Sequence, residues 1–226
     1  PRKTKLGLVS FVSGLTICIL TVLFTAFDTL DGFEARTRSL RFLLKGKSSL
    51  TNQIVLVNID EKTLANLDWP IDRANMALFI DILKKYGAKT LGVDILYTDP
   101  DKKDARFDQL FGQMLSIYGN SVLGSDMIQL ETPLEQKNPP EKSELQLAIE
   151  KRGWMFSGQN LYPNADEVDT PILPILKGSK GLGHLNLLPD SVGVFDRFYP
   201  FYHYRGKYYP SLSVGMLLRH FNLEEK

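Results

Sequence analysis

The sequence predicts an α/β fold in which helices flank a mainly parallel sheet, with a late antiparallel hairpin and one transmembrane helix in front. Three observations carry this prediction. An uncharged apolar run lies near the N-terminus, short β-branched runs alternate with amphipathic helical patterns, and aromatic residues alternate along a segment near the C-terminus. Strands separated by single helices at short spacing favour right-handed crossovers, which produce a parallel sheet.

The composition of the 226-residue chain excludes several classes of protein. Hydrophobic residues make up 43% of it, which is typical of a packed domain and not of a disordered chain. The 27 basic and 26 acidic residues leave a net charge of +1, so we expect no nucleic-acid partner. A single cysteine, Cys18, allows neither an internal disulfide nor a thiolate metal site.

Residues 6–27 predict a transmembrane helix, preceded by a cytoplasmic flank at residues 1–5. The run contains no charged residue, and a helix of this length spans roughly 30 Å at about 1.5 Å per residue. A signal peptide would have a shorter apolar core and a small-residue cleavage site. A buried soluble helix is the alternative. Basic residues flank both ends of the run, so charge alone leaves the orientation open.

Residues 28–50 predict a second helix and a linker directly after the membrane segment. Apolar side chains continue here at alternating steps of three and four, which is typical of a helix that buries one side. They are Leu30, Phe33, Thr37, Leu40 and Leu44. We favour packing of this stripe on its own domain, and the alternative is a signal-carrying seam between two copies of the chain.

Residues 51–221 predict a domain outside the membrane. Apolar and β-branched runs predict strands at residues 54–59, 90–97 and 121–124. Helical stripes between them predict helices around residues 76–83 and 107–118, and Asp72 is placed to cap the first of these. A surface loop over 130–145, a strand at 153–158, a hairpin at 197–209 and a last helix through 220 follow.

The termini suggest that the chain is part of a longer protein. It begins with Pro1 and not with Met, and no stop feature marks its end. We therefore interpret residues 222–226 as the start of a linker to a further C-terminal part.

Acidic residues at the ends of the predicted strands are the first candidates for a functional site. Asp60, Asp94 and Asp126 lie at the edge where an open parallel sheet binds its ligands. Gathered there, they would bind a cation or raise the pKa of one another. The alternative is structural: Asp60 caps the next helix, and the others pair with Arg73 or Arg197.

Trp69, Pro70 and Arg73 form the second candidate. A tryptophan face with a nearby guanidinium can hold a flat or anionic ligand by stacking and bidentate bonds. The same residues can equally close a loop over the sheet edge. The acidic loop at residues 99–104 lacks the spacing of a calcium loop, and we interpret it as a solvated turn.

Motifs for catalysis are missing from the sequence. It contains no nucleophile elbow, no P-loop and no zinc-binding helix motif, and histidines 184, 203 and 220 form no cluster. We therefore expect no catalytic residue, no metal and no cofactor in this chain.

Five segments, taken in order after one N-terminal membrane helix, resemble a known family. They are VNIDEKTL, WPIDR, LGVDILY, GLGHLN and DRFYPFY…YYPSLSVGMLL. Their order and spacing are similar to the type-two CHASE domain, the extracellular sensory domain associated with bacterial cyclases and histidine kinases. The resemblance covers residues 28–221. It departs from the family at Asp72, where a proline is usual, and at residues 192–196, which replace a common Asp-Gly. Its hallmark residues fall on Asp60, Trp69, Pro70, Arg73, Asp94, His184, Asn186 and Arg197.

The resemblance implies a receptor. Residues 28–226 would be extracytoplasmic, in the periplasm, and further membrane helices and a cytoplasmic output domain would follow. The output in this family is often an adenylate or guanylate cyclase that makes a cyclic nucleotide such as cAMP; otherwise it is a histidine kinase, a serine/threonine kinase or a diguanylate cyclase. We expect no catalytic activity in the 226 residues themselves.

Two functions follow as hypotheses. The first is a sensor that binds a small molecule and passes a conformational change through Leu30, Phe33, Leu40 and Leu44 into the membrane. Its candidate ligand-binding residues are Asp60, Trp69, Arg73, Asp94, His184, Asn186 and Arg197. The second is a protein-interaction or dimerisation module of a receptor kinase, with no small ligand. An open polar cleft would favour the first, and a site filled by mutual salt bridges would favour the second. A third hypothesis, an extracytoplasmic hydrolase, is supported by no motif in the sequence.

Overall fold

The computed structural model describes residues 2–26, 31–47, 53–130, 143–157, 161–189, 193 and 195–223. The chain divides into two compact units. One consists of residues 1–56 and 188–197, and the other of residues 57–187 and 198–226.

The described residues form eight helices and eight short strands. The helices are α1 (Arg2–Ala26), α2 (Asp31–Lys45), α3 (Glu61–Leu64), α4 (Arg73–Lys85), α5 (Arg106–Tyr118), α6 (Glu144–Glu150), α7 (Leu173–Gly178) and α8 (Leu212–His220). The strands are β1 (Leu91–Val93), β2 (Ser121–Ile128), β3 (Glu167–Asp169), β4 (Gly181–His184), β5 (Leu188–Pro189), β6 (Phe195–Arg197), β7 (Phe201–Tyr204) and β8 (Lys207–Pro210).

The first unit contains the two predicted N-terminal helices and the antiparallel pair β5–β6. Helix α1 covers residues 6–26 of the predicted membrane segment. Among the described residues, no helix combines the length and apolarity of a membrane span. Helix α2 confirms the second predicted helix, and its Leu40 and Leu44 are 53% and 77% exposed. Leu30 and the Phe33 side chain lie outside the described part of the chain.

The second unit is built on a mixed four-stranded sheet with β2 at its centre. Strands β1 and β4 pair parallel with the N-terminal half of β2, as the alternating pattern predicts. Strand β3 pairs antiparallel with the C-terminal half. The fold is therefore mixed α/β, and the sheet is parallel only in part.

Two apolar clusters form the core of this unit. The first surrounds Ile80 of α4 and Phe111 and Leu115 of α5. The second joins Leu182 of β4 to Tyr209 of β8 and to residues of α6 and α7. Helices α5 and α7 approach closely because Gly112 lies against α7: a Cβ atom there would fall far inside van der Waals contact of the Pro174 carbonyl oxygen.

The hairpin and the last helix are confirmed. Strands β7 and β8 pair antiparallel, and the turn places Arg205 and Gly206 at φ 48° and 79°, as a type I′ turn requires. Ser211 caps α8 by accepting a hydrogen bond from the Val214 N–H. These features depend on residues close in sequence.

Three predicted strands are wrong or too long. Residues 54–59 form no strand, and the side chains of Ile54, Val55 and Leu56 are exposed. Of the described residues 153–157, only Trp154 pairs, in a single bridge to Tyr208, and residue 158 lies outside the described part of the chain. The strand predicted over 90–97 is reduced to β1. The β-branched composition favours an extended backbone, but a strand also needs a neighbouring edge, which residues far away in sequence supply. The predicted loop 130–145 lies largely outside the described residues.

Candidate functional site

A cleft of about 400 Å³ lies between the segment that precedes α4 and the segment that follows β1. We call it the tryptophan cleft. It is lined by Trp69, Pro70, Ile71, Arg73, Met76, Ile95, Leu96, Tyr97, Thr98, Asp99, Pro100 and Lys102. Two of the predicted site residues, Trp69 and Arg73, therefore lie together. Trp69 is 61% exposed, so its ring is accessible to a ligand.

Arg73 is a buried residue at the first position of α4, and it holds the far wall of the cleft in place. Its side chain is only 6% exposed. Its Nη2 donates to the Asp99 carbonyl oxygen at 2.9 Å, and its guanidinium lies 4.8 Å from the centre of the Tyr97 ring. These contacts fix the loop after β1 against α4.

Two buried carboxylates balance this guanidinium. Asp101 Oδ2 is 3.9 Å from Arg73 Nη1, and Asp108 Oδ1 is 3.5 Å from Arg73 Nε. Asp101 also accepts hydrogen bonds from the backbone N–H groups of Arg73, Lys103 and Asp104. Burial alone would raise the pKa of Asp101, but these N–H groups and the Arg73 charge together lower it.

The interpretation of residues 99–104 as a solvated turn holds for the exposed residues 99, 100, 102 and 103 but is wrong for the centre of the segment. Its central residue, Asp101, is buried, and it accepts from Arg73, which lies 28 positions earlier in the chain. Sequence reasoning missed Asp101 and Asp108 because the surrounding lysines and acids resemble an exposed loop. Asp72 contacts the same loop: it caps α4 by accepting from the Asn75 N–H, and it accepts from Lys103 Nζ at 2.9 Å.

The Tyr97 hydroxyl, in the lining of the cleft, is buried and has no hydrogen-bond partner within the described part of the chain. Arg73 Nε and Asp108 Oδ1 also make no hydrogen bond there, but they form an ion pair with each other at 3.5 Å. Burial raises the pKa of Tyr97, so its hydroxyl stays protonated and remains a hydrogen-bond donor. A buried polar group without a partner destabilises the fold by about 1–3 kcal/mol, and a bound polar group would remove this penalty.

The predicted acidic cluster does not form. Asp60 is exposed and caps α3 by accepting from the Thr63 N–H at 2.9 Å, and this hydrogen bond lowers the pKa of Asp60. The cap confirms the first part of the structural alternative, whereas within the described part of the chain Arg73 pairs with Asp101 and Asp108 and not with Asp94 or Asp126. Asp94 is exposed and does not line the tryptophan cleft. Across the described residues, no group of three or more His, Cys, Asp or Glu side chains is placed to hold a metal ion.

Asn186 lies outside the cleft and acts as a substitute for strand pairing. Its Nδ2 donates to the Met127 carbonyl oxygen at 3.0 Å, and its Oδ1 accepts from the Met127 N–H at 2.9 Å. Its Nδ2 also donates to the Asp126 carboxylate. The side chain therefore continues, at the end of β2, the hydrogen bonding that β4 provides to the preceding residues.

His184 is buried at the end of β4, with 2% of its surface exposed. Its ring packs edge-on against Tyr202, with centroids 4.8 Å apart. Neither ring nitrogen makes a hydrogen bond of good geometry with a described residue, although the Tyr199 backbone interacts with the ring. Burial lowers the pKa of His184 to about 4, and the Tyr199 backbone and the Asp126 carboxylate oppose this only partly. The Arg197 side chain lies outside the described side chains.

Arg152 is a buried cation that the sequence did not single out. Its guanidinium donates to the carbonyl oxygens of Ala148 at 2.6 Å, of Ser179 at 2.7 Å and of Leu176. Burial lowers its pKa to about 10. It thus joins the C-terminal ends of α6 and α7, where exposed carbonyl groups favour a positive charge.

Comparison with known proteins identifies the family. The family model of the CHASE2 domain matches residues 15–226, which is nearly the whole chain. No curated protein and no solved structure gave a match. The predicted order of motifs around Asp60, Trp69, Arg73 and His184 agrees with this result. The chain therefore belongs to the CHASE2 family, whose domain is an extracellular sensory domain of signalling receptors.

Proposed function

We propose that this sensory domain responds to a small molecule that binds in the tryptophan cleft. The observation that carries the proposal is the combination of an exposed Trp69 ring with the buried, unpartnered Tyr97 hydroxyl in the wall of one cleft. A volume of about 400 Å³ falls within the range of small-molecule sites.

The residues around the cleft suggest the character of the ligand. Trp69 and Pro70 offer a flat apolar wall, and Tyr97 offers a hydrogen-bond donor. The Arg73 guanidinium contacts Asp99, Asp101 and Asp108, so its charge is already balanced within the protein. The best match is a flat, largely neutral molecule with one hydrogen-bond acceptor.

Signal transmission belongs to the same proposal. Residues 6–27 would anchor the receptor in the inner membrane, with residues 28–226 in the periplasm. Ligand binding shifts the receptor between two states only if the ligand prefers one of them. Helix α2 would carry this shift, and its exposed Leu40 and Leu44 would form the seam of a homodimer. The output domain would be an adenylate or guanylate cyclase beyond residue 226.

One observation favours a second function. The Arg73 charge is balanced by Asp101 and Asp108 in a buried network of mutual salt bridges, which suits a structural role. In that case the domain is a protein-interaction or dimerisation module of a receptor histidine kinase or another kinase, without a small ligand. The presence of an open cleft beside the network makes this the weaker hypothesis.

Native mass spectrometry of the chain purified from bacterial membranes tests the proposal. A bound ligand appears as a reproducible extra mass. Thr98→Trp fills the cleft from an exposed position, and we expect the extra mass to disappear. Tyr86→Trp places the same side chain on an exposed position outside the cleft, and the extra mass should remain. A bare wild-type mass, or an extra mass that both variants retain, contradicts the proposed site.

A further inference from the structure

A second cavity, of about 360 Å³, is separate in its lining from the tryptophan cleft. We call it the aromatic box. It is lined by Phe156, Ser157, Leu161, Tyr162, Phe201, Tyr208 and Leu218. These residues come from positions 156–157 and 161–162, from the hairpin β7–β8 and from α8. None of them belongs to the predicted ligand-binding residues.

Four rings of the aromatic box form a closed circuit of contacts. Phe156 lies 5.1 Å from Phe201 and 5.1 Å from Tyr208, measured between ring centroids. Tyr162 lies 5.3 Å from Phe201 and 6.0 Å from Tyr208. All four distances fall within the range of about 4.5–7 Å that aromatic pairs prefer. The four rings therefore pack on one another in the wall of the cavity.

Among the described residues, the lining of the aromatic box contains no acidic or basic side chain. A charged ligand would lose its hydration there without gaining a counter-ion from the wall, which is unfavourable. A neutral ring loses little on leaving water and gains edge-to-face and offset contacts with the lining rings. The cavity is also accessible, since Phe156 and Leu161 are 46% and 81% exposed.

We propose that the aromatic box binds a small neutral aromatic molecule. The site is independent of the one proposed at Trp69, because the two linings share no residue. Its volume falls within the range of small-molecule sites, and its aromatic and leucine lining with a single serine matches their mainly apolar character.

The test uses 5-fluoroindole as the probe and fluorine NMR as the measurement. The full 226-residue chain is placed in lipid nanodiscs, and empty nanodiscs measure the uptake of the probe by lipid. We expect saturable binding to the protein. Phe156→Ala removes one wall of the box, and Leu161→Glu places a carboxylate at its exposed edge. Each change should weaken binding by roughly tenfold or more, a factor that corresponds to about 1.4 kcal/mol.

Two control variants locate the binding. Leu217→Glu adds the same carboxylate to an exposed position next to the box, and the affinity should stay within about twofold of the wild type. Thr98→Trp blocks the tryptophan cleft and should leave 5-fluoroindole binding unchanged. Thermal unfolding of each variant checks that the domain is folded. If one of the two box variants does not fold, the other still tests the site.

Several results would overturn the proposal. Absence of saturable binding to the wild type rejects the site, and unchanged affinity in both Phe156→Ala and Leu161→Glu places the binding elsewhere. Loss of binding in Thr98→Trp assigns the probe to the tryptophan cleft. Choline tests the chemical class: if it binds more tightly than 5-fluoroindole, the box recognises organic cations through its ring faces.

Discussion

Acid should destabilise this domain through His184, and the substitution His184→Phe should remove that sensitivity. The imidazole is buried against Tyr202, and its two nitrogens make no hydrogen bond of good geometry with a described residue. Phenylalanine keeps a ring in the same place and has no polar atom to bury. We therefore expect the variant to be at least as stable as the wild type at pH 7.

The magnitude follows from the two pKa values. Burial lowers the pKa of His184 to about 4 in the folded protein, against 6.5 for a free histidine. Since the unfolded chain takes up the proton first, stability is complete above pH 6.5, falls as the pH drops, and levels off below about pH 4. A separation of about 2.5 pH units, at 1.36 kcal/mol per unit, makes the total loss about 3 kcal/mol. About 2 kcal/mol of this appears between pH 7 and pH 5.

The assay is urea unfolding of the wild type and His184→Phe at pH 7, 6 and 5. Carboxylates distant from His184, such as Asp101, affect both proteins equally, and so do the other two histidines, so they cancel in the difference. The free energy of unfolding of the wild type should fall by about 2 kcal/mol relative to the variant over this range. A constant difference would refute the reasoning. A variant that is already about 2 kcal/mol less stable at pH 7 would show that the ring nitrogens have partners.

Three further predictions concern the packing, the buried ion network and signal transmission. Gly112→Ala should destabilise the domain by roughly 3 kcal/mol, because the added methyl group overlaps the backbone of α7. Asp101→Ala should destabilise it by about 3 kcal/mol, since three backbone N–H groups lose their acceptor and a buried guanidinium loses a counter-ion. Asp99→Ala should change little, because its contact to the guanidinium uses the backbone carbonyl. Glutamate at both Leu40 and Leu44 should abolish the response of the output domain without changing ligand binding.

Each of these has a measurement that can contradict it. Urea unfolding measures the stability of Gly112→Ala and Asp101→Ala. Equal stability of Gly112→Ala and the wild type would mean that α5 and α7 are less close than described. Equal effects of Asp101→Ala and Asp99→Ala would exclude a special role for the buried carboxylate. The activity of the output domain in the complete receptor measures the third. An unchanged response with both leucines replaced would exclude α2 as the element that transmits the signal.

Part of the candidate site could be predicted from the sequence. Trp69 and Arg73 were expected together, and they line the same cleft because only a few residues separate them. Asp60, Asp94 and His184 were expected in the same site, but they do not line that cleft. Tyr97, Asp101 and Asp108 were missed as site residues, since their burial depends on how the loop after β1 folds back onto α4.

The sequence by itself determined the features that depend on neighbouring residues. Asp72 and Ser211 cap their helices through N–H groups three positions further on, and Arg205-Gly206 close the hairpin. The tertiary structure decided whether a β-branched run pairs with a neighbouring strand. Residues 54–59 are such a run, and they form no strand. It also brought Asn186 to Met127 across 59 positions. Local hydrogen bonds and turns are set by nearby residue types, whereas burial and pairing depend on parts of the chain that meet only after folding.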